Sequence, residues 1–127
     1  MQEMDYNKIT EKLIMVLPND WEKVVLYTQI NNDAYELFFH VKVDGNFYQC
    51  YNLDKVFGIT SDQINATFDE LYKLILPDWK DKNWFVCTFI LNKNGEFKVD
   101  YEYTDYSEST LKYKKDWKNK YLLTVQS

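Results

Sequence analysis

Tyr35-Glu36-Leu37-Phe38-Phe39-His40-Val41-Lys42-Val43, then Asp44-Gly45, then Phe47-Tyr48-Gln49-Cys50-Tyr51, is the stretch that decides the fold. Successive side chains of a strand point to opposite faces. Tyr35, Leu37, Phe39, Val41 and Val43 therefore share one face, and Glu36, Phe38, His40 and Lys42 the other. Asp44-Gly45 suits a tight hairpin turn, so Phe47–Tyr51 is predicted to fold back on the strand before it. Upstream, Val24-Val25-Leu26-Tyr27-Thr28-Gln29-Ile30 is rich in β-branched residues and is followed by the turn-forming Asn31-Asn32-Asp33. The expected unit is a three-stranded antiparallel meander.

Working outward, residues 4–17 place Tyr6, Ile9, Leu13, Val16 and Leu17 at helical spacing, and Pro18-Asn19-Asp20 stops the pattern. On the other side, Thr60-Ser61-Asp62-Gln63 reads as a capping box that opens a second helix. Its apolar stripe is Ile64, Phe68, Leu71, Tyr72, Ile75 and Leu76; Asp69 and Glu70 lie off it, and Pro77 is expected to close it. Trp84 to Leu91 is apolar on both faces, which predicts a strand covered on each side or one whose second face meets a partner. Asn94-Gly95 turns the chain into Phe97, Val99, Tyr101 and Tyr103, interleaved with Glu96, Lys98, Asp100 and Glu102. From Ser107, the spacing of Leu111, Lys114, Lys115, Trp117, Lys118 and Tyr121 fits a basic helix ending near Leu122. The sum is one α+β domain over residues 1–127, in the order α-β-β-β-α-β-β-α, with an antiparallel sheet of about five strands packed against helices.

Composition narrows the function. The net charge is −5 and every positive side chain is lysine, so the bidentate arginine contacts typical of nucleic-acid binding are unavailable and a nucleic-acid ligand is not expected. Residues 1–108 carry 10 lysines against 19 acids, whereas 109–127 carry five lysines against Asp116 alone. An acidic body suits a basic protein partner and equally suits a surface kept soluble by charge. No apolar run reaches the roughly 18 residues of a membrane span, and acids at Glu3 and Asp5 do not fit a signal peptide, so a cytoplasmic protein is expected. Cys50 and Cys87, each read as lying within a strand, lack metal or redox spacing and are taken as reduced core residues.

Chemistry is sparse. His40 is the sole histidine, on the polar side of its strand, and reads as a surface residue. The three glycines stand singly, which excludes phosphate-cradling loops. No catalytic residue, cofactor or metal site is assigned. Asp100 and Glu102, two apart on one strand face, leave open an alternative: a metal-dependent hydrolase. A further alternative is a structural domain that self-associates through the apolar strand 84–91. Four Trp, eleven Tyr and eight Phe exceed what a small core readily buries. Trp21, Trp84 and Phe39 are expected in the core. For Tyr101 and Tyr103, core and interface stay equally open.

These residues resemble a family. Pro18 followed by Trp21-Glu22-Lys23-Val24 is similar to the IP-x-x-W-E-x-V start of the YezG-type immunity proteins, or antitoxins. Asp69-Glu70-Leu71-Tyr72, Trp84, Trp117 and Lys120-Tyr121-Leu122 resemble theirs, and Gly95–Tyr103 resembles their G-x-F-x-x-D-Y-x-Y hairpin. The resemblance covers about residues 5–122 and departs in a short segment after the last strand and in Asn83-Trp84, where many members have Pro-Trp. It implies a cytoplasmic partner of a polymorphic toxin exported by the type VII route, one that binds the toxin's nuclease domain and is itself no enzyme. On that reading Asp100, Tyr101, Glu102, Tyr103 and Asp105 are the candidate partner-binding residues of a chain that is monomeric when free.

Overall fold

The computed structural model of the chain describes residues 5–32 and 34–123. The helices are α1 (Tyr6–Ile14), α2 (Leu53–Phe57), α3 (Ser61–Lys82) and α4 (Thr110–Lys118), and the strands are β1 (Trp21–Ile30), β2 (Tyr35–Val43), β3 (Asn46–Gln49), β4 (Val86–Asn92) and β5 (Phe97–Glu102). The strands form one antiparallel sheet in the order β3-β2-β1-β4-β5, an α+β fold of the expected kind.

The register explains the layers. Leu26 pairs with Phe39 on β2 and with Phe89 on β4, and Phe89 with Val99 on β5, so one face is continuous across four strands. Ile9 and Leu13 of α1 and Ile64, Leu71 and Ile75 of α3 close that face in the main core. Trp21, Trp84 and Phe39 are buried there as expected. On the opposite face, Val25, Tyr27 and Val86 are covered by Trp117 and Leu122 from the C-terminal segment. The apolar strand 84–91 is thus used internally, paired on both edges and covered on both faces, which leaves no edge for self-association.

Local signals account for the turns. Asp44 (φ 51°) and Gly45 (φ 81°) are both left-handed, as a two-residue hairpin matching the right-handed strand twist requires. At α3, the Gln63 N–H donates to Thr60 Oγ1 at 3.2 Å and the Thr60 N–H to Gln63 Oε1 at 2.8 Å, the reciprocal box read from the sequence. The turn expected at Asn31–Asp33 closes with the Ala34 N–H donating to Asn31 Oδ1 at 2.8 Å; Asp33 itself lies outside the described residues, as do residues 1–4 and 124–127.

Four expectations need correction. Pro77 does not close the second helix, which runs on to Lys82. Proline removes one N–H and leaves that bond unmade, but the buried Asp78 beyond it ties the last turn to the sheet and Asn83, left-handed at φ 56°, caps it. The strand expected over Phe47–Tyr51 ends at Gln49, whose side chain accepts the Tyr51 N–H at 2.8 Å and starts a 3₁₀ turn at Cys50–Asn52. Cys50 therefore sits on that turn, not in a strand; it and Cys87 are both buried and unpaired. His40 is buried, not a surface residue, because Trp117 lies across it at 6.1 Å between ring centroids.

Candidate functional site

Alternation along β5 splits the five candidate residues between two environments. Asp100 and Glu102 face α4, while Tyr101 faces α3; Tyr103 follows the strand on the Tyr101 side, and Asp105 lies in the turn beyond. The structure brings Asp100 and Glu102 together in one cleft, which Tyr101 also borders, while the Tyr101 hydroxyl makes its bonds on the opposite side of the strand.

The cleft lies between β5 and the C-terminal segment, with a volume of about 570 Å³. Tyr106 and Tyr113 stack along its wall, 4.6 Å between ring centroids and 14° between planes. A π-helical turn at Asn119–Leu123 carries Tyr121 back over the sheet, where its hydroxyl donates to Asp100 Oδ2 at 2.8 Å. Burial and the Asp100 carboxylate hold that hydroxyl protonated well above the ordinary tyrosine range, so the bond persists at neutral pH. Burial pushes the Tyr113 hydroxyl up to about 12, with Glu102 adding to the effect. Lys98, Lys112 and Lys120 line the same cleft as Asp100, Glu102 and Asp116, three positive groups against three negative. Lys112 and Asp116 pair at 3.3 Å, one helical turn apart.

On the other side of β5, Tyr101 belongs to a network that the sequence did not reveal. Asp78 is buried, and its Oδ2 accepts from Trp84 Nε1 at 2.9 Å and from the Tyr101 hydroxyl at 3.2 Å. Lys82 Nζ lies 2.9 Å from Asp78 Oδ1 and donates to the Tyr101 oxygen at 3.1 Å. Burial pushes the Tyr101 hydroxyl far up, although the adjacent ammonium opposes it. A buried carboxylate is tolerable only with partners of this kind. Asp78 and Lys82 are four residues apart on a helix, the only trace of the network in the sequence; Pro77 hid it by suggesting that the helix had ended.

The remaining residues stand at the strand's exit. Glu102 Oε2 accepts the Thr104 N–H at 3.1 Å, and Tyr103 is 58% exposed. Asp105 Oδ1 accepts the Ser107 N–H at 2.8 Å, and its hydrogen bonds with Ser107 hold its carboxyl below the usual range. Among the described residues no group of three or more His, Cys, Asp or Glu side chains is placed to hold a metal ion, and no helix is long and apolar enough to cross a membrane.

Fold and site together define the class: an α+β domain that presents rings and carboxylates at the exit of an edge strand. The model of one protein family, described as immunity protein YezG-like, matches residues 1–126. The chain belongs to the YezG-like immunity protein family. It is 28% identical to immunity protein YezG of Bacillus spizizenii, over 84% of this chain and 71% of that protein. It is 29% identical to immunity protein YezG of Bacillus subtilis, over 87% and 78% respectively. It is also 30% identical to the type VII secretion system protein EsaG of Staphylococcus aureus, over 82% of this chain and 69% of that protein.

Proposed function

We propose that this chain is the cytoplasmic antidote to a nuclease toxin exported by the type VII route, and that it works as a monomer by binding the toxin's nuclease domain one to one. Family membership supports an immunity role, and one relative is named for type VII secretion. The observation that carries the reading is the β5 exit, where Tyr103, its ring 58% exposed, is followed by the exposed Asp105, and Glu102 opens onto the cleft on the other face. A nuclease must present positive charge to bind a phosphate backbone. An acidic partner is steered to that charge and then held by desolvated aromatic contacts.

Within this reading Glu102, Tyr103 and Asp105 touch the toxin, and Asp100 and Tyr101 fix the strand beneath them through Tyr121 and Asp78. The test is co-expression with the toxin encoded beside this chain's gene, paired with a cleavage assay on purified toxin domain. Survival of the cells and loss of cleavage at equimolar ratio are expected. Death at the same rate with and without the chain would overturn the proposal.

A further inference from the structure

A second group of tyrosines lies where α3 packs on the start of β2. Tyr35 and Tyr72 stack with ring centroids 3.9 Å apart and planes at 15°. The Tyr51 hydroxyl donates to Asn65 Oδ1 at 2.7 Å, and its ring stands edge-on to Phe68 at 6.2 Å. Asp69 Oδ1 lies 3.5 Å from the Tyr35 hydroxyl. Yet Tyr35 and Tyr51 remain 43% and 41% exposed. Rings already held by stacking and hydroxyl bonds lose little further rotamer freedom when a partner covers them, so they suit the centre of an interface.

The charge of this seam has a sign. Residues 61–73 contain Asp62, Asp69 and Glu70 against Lys73 alone, all exposed, a balance of −2. The cleft under α4, by contrast, is balanced. The seam also lies at the same end of the sheet as the β5 exit. Tyr35 pairs with Ile30, the neighbouring Gln29 with Val86, and Val86 with Glu102. Three inter-strand steps of roughly 4.8 Å put Tyr35 about 14 Å from the β5 exit. A standard interface of about 800 Å² per partner spans that distance.

We infer that the seam is the second half of the toxin-facing surface, docking a protein face that presents lysine or arginine among apolar groups. Cations sit over the Tyr35 and Tyr51 rings, and Asp69 pairs with them at the edge. A second copy of this chain fits poorly, because an isologous contact would set the same acids against each other. The inference rests on the immunity reading and adds to it the surface and the chemistry of the face bound.

Ala66→Arg tests it, since Ala66 is exposed on α3 between Asp62 and Asp69, and the change adds bulk and positive charge while deleting no side-chain contact. The probe is the nuclease domain encoded beside this chain's gene, inactivated at its own catalytic residue, with affinity read by calorimetry. Ala66→Arg is expected to weaken binding at least about 30-fold with an unchanged melting temperature, while the matched Asn7→Arg on α1 stays within about threefold. Should Ala66→Arg lower the melting temperature, Asp69→Asn replaces it, with a loss of at least about fivefold expected. Binding by the folded seam variant within about threefold of the unsubstituted chain overturns the inference alone. No binding by the unsubstituted chain overturns the immunity reading and the inference with it. Dimers of the free chain that Ala66→Arg splits would assign the seam to a second copy and also overturn it.

Discussion

The two faces of the sheet are closed by different means. Under α1 and α3 the filling is chiefly aliphatic, with Ile9, Leu13, Leu26, Ile64, Leu71 and Ile75 fully buried. Under α4 it is aromatic and tied by polar bonds: Trp117 stands edge-on to Tyr27 at 5.2 Å and Phe38 at 5.5 Å, and its Nε1–H donates to Thr88 Oγ1 at 2.9 Å. Lys114 adds an ion pair to Glu36 at 2.7 Å. The first kind of closure is spread over many contacts from two helices, whereas the second hangs on one indole and its neighbours. The main core should hold the global fold, and the C-terminal segment should open at lower free energy as a local unit.

Truncating one ring on each side should separate the two closures most clearly. Phe39→Ala is expected to cost about 3–5 kcal/mol of global stability by chemical denaturation, through lost burial and the cavity left behind. Trp117→Ala removes a ring of similar weight, but its effect should appear as faster amide exchange over residues 110–122, with α3 still protected. If exchange in α3 rises equally, the two faces are one cooperative unit and the contrast fails.

A second effect depends on pH. Burial beneath Trp117, with Lys118 nearby, pulls the His40 imidazole down to about 4 from an ordinary 6.5. Above pH 6.5 both folded and unfolded chains hold it neutral, and stability is complete. As pH falls from 6.5 towards 4, only the unfolded chain takes up the proton, so stability is lost at up to about 1.4 kcal/mol per pH unit. Denaturation midpoints between pH 6.5 and 5 should fall for the native chain and stay flatter for His40→Phe. Because this is the sole histidine, its ring-proton signal offers an independent check; titration near 6.5 in the folded chain would show that Trp117 does not cover it.

The smallest effect belongs to the ion pair. Lys114 and Glu36 are 26% and 43% exposed, so solvent screens them, and Lys114→Ala should cost under about 1 kcal/mol. A loss above about 2 kcal/mol in urea denaturation would mean that charge, more than the indole, holds α4.

What could be read in advance follows the same division. The face under α1 and α3 announced itself because Tyr35, Leu37, Phe39, Val41 and Val43 alternate with a period of two, and the helices that cover it have clean stripes. The opposite face carries Glu36, His40, Lys42, Asp100 and Glu102, which read as solvent-facing. It is partly covered because aromatic side chains from a distant, lysine-rich helix fill the gaps, and pairing across 78 residues leaves no local periodicity. At the site, the β5 hairpin and its residues were legible from alternation and the Asn94-Gly95 turn. Their division between cleft and Asp78 network was not, since a helix that continues past proline contradicts the local signal.

The placement of Cys50 and Cys87 has a practical consequence. Both thiols are buried, and burial pushes Cys50 up to about 11 and Cys87 further, so neither forms the reactive thiolate near neutral pH. A single cysteine introduced at Leu111, which is 88% exposed, would then be the only rapidly alkylated position, giving a one-dye handle on the C-terminal segment with the native cysteines left in place.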